Sequence, residues 1–184
     1  MAAGMTGRAR ATVLAACLAV AAAACAAPST GGTTTYPPPS TAPNLDVSPA
    51  VGQTRAEIAA ALGQHQIQLL DSQVPYRPAE GPILANAPRA VYQAVLPADP
   101  THGYIVVYEL RDTSRAAEAA AEQRLYLETG PGRVQTPLGT VHVIRGVGTT
   151  VILYDWLPGA STDPSAPDVQ AALETIGIPY PVGN

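Results

Sequence analysis

The sequence predicts an α+β fold, an antiparallel sheet of about five strands with helices packed on one face. Three observations carry this. Residues 90–96 and 103–110, and again 139–146 and 149–157, form pairs of β-rich runs joined by turn-forming residues, as hairpins do. A helical pattern follows each pair instead of alternating strand by strand, which argues against a parallel βαβ sheet. A length of 184 residues gives room for one domain, here placed at residues 50–180.

Taken in order, the elements read α-β-loop-ββα-ββα. Thr54 and Glu57 have capping-box spacing, and Ile58, Ala61 and Leu62 form a stripe stopped by Gly63, so a helix is expected over 55–62. Residues 64–70 alternate, with Ile67 and Leu69 on one side and Gln66 and Gln68 on the other, as a half-exposed strand does. Residues 71–88 are rich in proline and polar groups, a long excursion of the kind that forms lids or binding loops. After the first hairpin, Asp112 or Thr113 caps a helix running to about Glu128 and ended by Gly130-Pro131-Gly132. Ala116, Ala117, Ala120, Ala121 and Leu127 are its expected buried face, with Arg115/Glu118 and Arg124/Glu128 on the wet side. After the second hairpin, which turns at Val147-Gly148, Pro167 sits in the first turn of a helix carrying Val169, Leu173 and Ile176 and closed by Gly177.

Composition narrows the function. All ten basic residues are Arg, against 14 acidic residues, and the chain has no Lys and no Phe. Loss of residues 1–24 would remove Arg8 and Arg10 and leave a net charge of −6. Such a product has no basic patch for a phosphate backbone, so nucleic acid is not an expected partner. Cys17 and Cys25 are the only cysteines, and both precede the domain, which must therefore rest on its apolar core without a disulfide.

The N-terminus reads as an address. Residues 1–10 carry two Arg, residues 11–24 are apolar and uncharged, and small residues follow before Pro28. This is the layout of a secretory signal, and it is too short and too alanine-rich for a spanning helix. Ala22-Ala23-Ala24-Cys25 resembles a bacterial lipobox, with Ala22 where that family prefers Leu. Leu14-Ala15-Ala16-Cys17 fits the letters better but leaves too short an apolar region before it. The resemblance implies acylation of Cys25 and a lipid anchor on the outer face of the cell membrane; ordinary cleavage after Ala27, giving a secreted protein, is the alternative. Residues 25–49 then form a linker rich in Pro, Thr and Ser, stiffened by Pro37-Pro38-Pro39. The element order after it is similar to extracytoplasmic α+β domains of lipoproteins and receptor-kinase sensors in high-GC Gram-positive bacteria.

The chemistry of the domain carries few motifs. No GxSxG elbow surrounds Ser72, Ser114, Ser161 or Ser165. Asp99 and His102 have the spacing of half a metal site but lie in a proline-rich turn, where a solvated turn is expected and no metal. Gly146-Val147-Gly148 lacks the third glycine of a dinucleotide loop, so no cofactor is expected. Aromatic residues are the candidate ligand-binding groups. Tyr104 and Tyr108 share one strand face, and Tyr154 and Trp156 share another; aligned, they would make either a core or an exposed stripe closed over by residues 71–88. The expected function is a non-catalytic binding or sensing domain for envelope lipid, glycan or another envelope protein. A small envelope-acting hydrolase or transferase, and a structural partner, are the alternatives.

Overall fold

The computed structural model describes residues 47–183. The signal segment, Cys25 and nearly all of the linker lie outside the described residues. The elements are α1 (Pro49–Gln64), β1 (Leu69–Asp71), α2 (Pro82–Ala85), β2 (Arg89–Ala94), β3 (Tyr104–Glu109) and α3 (Thr113–Glu128). They continue with α4 (Gly132–Gln135), β4 (Val141–Val147), β5 (Thr150–Trp156), α5 (Ala166–Glu174) and β6 (Ile178–Pro179). The strands form one six-stranded sheet, ordered β1-β2-β3-β5-β4-β6, with every neighbouring pair antiparallel. The α+β class and the two hairpins stand as expected; the short β6 brings the strand number to six.

Helices cover both faces of the sheet, where one covered face was expected. On one side α1 and α5 bury Ile105, Val107, Ile152 and Tyr154. On the other, α3 and the segment before β2 bury Val106, Tyr108, Val151 and Leu153. The reason lies in the central strands. Ile105-Val106-Val107-Tyr108 and Val151-Ile152-Leu153-Tyr154 are apolar without alternation, and all eight are buried. A strand with one wet face alternates; a run apolar on both faces needs cover on both.

Helix α1 begins at Pro49, earlier than the Thr54 capping box suggested. Ser48 is the cap, its hydroxyl accepting from the Val51 N–H at 3.3 Å, and Pro49 supplies a pre-set φ at the first turn. Thr54 instead lies inside the helix, bonding back to the Ala50 carbonyl at 3.1 Å and sharing a hydrogen bond of 2.7 Å with Thr150 of β5. That buried hydroxyl pair ties α1 to the sheet. The helix runs through to Gln64, and the expected strand over 64–70 shrinks to the three residues of β1.

Just past the end of α5 the buried Arg145 of β4 donates to the carbonyls of Ile176 and Gly177, so that it satisfies backbone groups of the turn into β6. Gly177 has φ +53°, and a Cβ there would run into the Gly146 carbonyl oxygen. Only glycine allows the chain to turn this tightly into β6.

Candidate functional site

Four connections meet at one end of the sheet, where β2 and β5 finish and β3 and β4 begin. They are residues 72–88, 95–103, 136–140 and 157–165, and with the adjoining strand ends they enclose a cleft of about 390 Å³. Tyr154 and Trp156 line it with Tyr76, Leu96, Pro137, Leu157 and Ala160. Asp155, His102, Arg77, Thr136 and Ser161 supply scattered polar groups. A mainly apolar concavity with a few placed polar groups is the usual character of a small-molecule site.

Three of the four connections are held from behind. Asp163, itself buried, accepts from the Ala98 N–H at 2.8 Å and the Ser165 N–H at 2.9 Å. The Thr162 hydroxyl donates to the Ala98 carbonyl at 2.8 Å, so two of the four connections are clamped together. Trp156 leans on the α5 side of the core, its Nε1–H donating to Gln170 Oε1 at 2.9 Å. Gly103, at φ +86°, turns the chain into β3, and a Cβ there would lie 2.6 Å from the Ala94 carbonyl oxygen.

Residues 71–88 do not hang free as a lid. The side chain of Glu80, 2% exposed, accepts from Tyr108 Oη–H at 2.6 Å, Arg77 Nε at 2.7 Å and Arg89 Nη1 at 2.9 Å. From α3, the fully buried Gln123 accepts from the Gly81 N–H at 2.7 Å and donates to the Ala79 carbonyl at 2.8 Å. The segment is a fixed wall, and it carries Tyr76 to the cleft.

The four aromatics named from the sequence do not form one stripe. Ile105 pairs with Tyr154 in register, so Tyr104 and Tyr108 point to the α3 side while Tyr154 and Trp156 point to the α1/α5 side. Tyr108 is sealed beneath Glu80. Tyr104 stacks on Tyr76, with ring centroids 4.7 Å apart and planes 15° off parallel. Tyr154 and Trp156 face the cleft. Burial, with Asp155 and Tyr104 nearby, pushes the Tyr76 phenol up to about 12. Tyr154 is raised by burial and by Tyr76 and Asp155, and Tyr108 by burial and Glu80.

Two His–Asp pairs flank the cleft. His142 and Asp155, opposite one another on β4 and β5, meet Nδ1 to Oδ1 at 2.7 Å, both side chains nearly buried. His102 and Asp99 meet at 2.6 Å within the turn between β2 and β3. The Ser161 hydroxyl and the His102 ring hold the Asp99 carboxyl below the usual carboxylate range. In both pairs a carboxylate orients the ring through Nδ1. Among the described residues no hydroxyl or thiol is hydrogen-bonded to either Nε2, and no group of three His, Cys, Asp or Glu could hold a metal ion. Sequence reasoning missed Tyr76, Asp155 and His142, since only the β4–β5 register and the path of the 71–88 segment bring them here.

A scan against protein-family models, a search of the curated proteins and a search of the solved structures each found no match for this chain.

Proposed function

We propose that this chain is an exported lipoprotein, held to the outer face of the cell membrane through Cys25. Its domain serves as a non-catalytic binding module that takes an apolar ligand into the sheet-end cleft. The observation that carries the reading is the cleft itself, a preformed space of about 390 Å³ walled by Tyr76, Tyr154, Trp156, Leu96 and Leu157. Its volume lies in the range of small-ligand sites, and hydrogen bonds hold three of its four connections in place, which lowers the ordering that opposes binding. The tether rests on the lipobox-like Ala22-Ala23-Ala24-Cys25 and the linker that follows. A second groove, between β4, α5 and residues 179–182, is lined by Arg145, Glu174 and Gln170 as well as apolar groups and is less suited to an apolar body.

Trp156 is the chain's single tryptophan and lines the cleft, so its emission reports on the site without labelling. Monomeric dodecanoate is expected to shield Trp156 from an aqueous quencher in a saturable manner; no change at concentrations below micelle formation would count against binding there. For the tether, Cys25→Ala is expected to shift the protein from the detergent-extracted membrane fraction to the medium. Unchanged membrane association would contradict it.

A further inference from the structure

The α4–β4 connection, residues 132–140 counting the short helix α4 itself, forms one wall of the cleft through Gln135, Thr136, Pro137 and Thr140. The same connection carries the two most exposed large apolar side chains among the described residues, Val134 at 85% and Leu138 at 99%. Single exposed apolar residues are ordinary on a protein surface. Two of them four positions apart, both all but uncovered and both beside the cleft wall, are a different matter. They cover too little area for a stable protein–protein interface, which buries on the order of 800 Å² per partner. Two protruding apolar side chains do suit a fluid apolar medium, which needs no matching surface.

Charge points the same way. The chain is net acidic at −4, yet no Asp or Glu occurs from residue 129 to residue 154. Within the connection the one charged residue is Arg133, exposed and adjacent to Val134. The Arg133 guanidinium reaches the Glu128 carbonyl at 3.4 Å, while the Glu128 carboxylate is held by Arg124; an exposed cation beside apolar tips matches an anionic headgroup layer above hydrocarbon. Trp156 and Tyr76 at the cleft have the apolar bodies and polar ends that favour a membrane–water boundary.

We infer that the α4–β4 connection dips into a lipid surface through Val134 and Leu138, and that the cleft takes its ligand there, the hydrocarbon chain of an anionic lipid. This rests on the binding reading of the cleft and names the ligand class and route.

The test uses the full, lipid-anchored protein reconstituted into phosphatidylglycerol/phosphatidylcholine vesicles whose acyl chains carry bromine, a contact quencher of tryptophan. Trp156 emission is expected to be strongly quenched, and Val134→Glu/Leu138→Glu to weaken that quenching several-fold. Both positions are exposed, so the variant is expected to keep its far-ultraviolet dichroism and its response to monomeric dodecanoate. Arg133→Gln is expected to reduce the preference for phosphatidylglycerol over pure phosphatidylcholine. Equal quenching in wild type and double variant would overturn the inference. So would dodecanoate shielding Trp156 while brominated vesicles leave it bright, although the cleft reading would then survive. If neither probe reaches Trp156, both readings fall. Concentration-dependent dimers in detergent that the double variant abolishes would assign Val134 and Leu138 to a second copy and likewise overturn the inference.

Discussion

At the scale of single residues, the domain is distinguished by buried polar side chains used as fasteners. Glu80 holds three donors at once, and Tyr108, named from the sequence as a ligand group, is one of them. Hydroxyls this deeply buried resist ionisation, because a phenolate there would lose its hydration. The consequence for stability has a definite sign. Tyr76 stands at about 12 when folded against 10.0 when unfolded, so between these values the native state holds a proton that the unfolded chain has released. Stability is then complete below pH 10 and falls as pH rises toward 12. Tyr108, Tyr154 and Tyr92 are displaced in the same direction and steepen the loss. Titration followed by phenolate absorbance is expected to show a group of tyrosines ionising only as the dichroism collapses. A single normal titration with the fold intact would contradict these burials. Strand alternation places Tyr154 and Trp156 on one face but leaves open whether that face is core or binding surface, and Tyr154 is buried in the core cluster as well as bordering the cleft. Tyr76 was not legible at all, since nothing local indicates that it will stack on Tyr104.

At the scale of elements, α3 shows how an alanine-rich helix with modest apolar bulk is fixed in place. Ala116, Ala119, Ala120 and Leu127 bring it close to the sheet, and Gln123 on the same face hydrogen-bonds the backbone of 79–81. The expected face included Ala117, which is exposed; the stripe is rotated so that Gln123 can face inward. Gln123→Leu should strand the Gly81 N–H and the Ala79 carbonyl in an apolar setting, at a cost of about 1–3 kcal/mol for each group left unpaired. The expected result is a lower melting temperature together with new protease cleavage between residues 72 and 88. Unchanged resistance in that segment would mean that Glu80, with Glu122 accepting from the Ile83 N–H, suffices to hold it. The hairpins were readable from sequence because they are local. The cover on both faces was also written there, in the unbroken apolar runs of β3 and β5, but a five-strand, one-face scheme left no place for it. The true start of α1 was obscured by a Thr–Glu pair with the spacing of a cap inside a continuing helix.

At the scale of the whole molecule, the sheet is a platform whose two faces are committed to core and whose one end is free to carry a site. That division follows from chain topology. Loops that join β2 to β3 and β5 to α5, together with the entry to β4, emerge at the same end, and the 72–88 segment is fastened against it. Loops on a rigid scaffold are where binding groups collect. No single stretch of sequence announces the cleft, because its walls come from positions up to 90 residues apart, between Tyr76 and Ala166. Its existence depends on the order β3-β5-β4, which residue patterns alone did not determine.

The central claim is that this end of the sheet, and not the groove beside β4 and β6, receives an apolar ligand. Backbone amide chemical shifts recorded while monomeric dodecanoate is titrated into the protein test it most directly. The account expects saturable shifts at 76–79, 96–102, 135–140 and 154–161, with the Trp156 indole among the largest. Shifts concentrated instead at 141–145 and 179–182, or spread evenly without saturation, would contradict it.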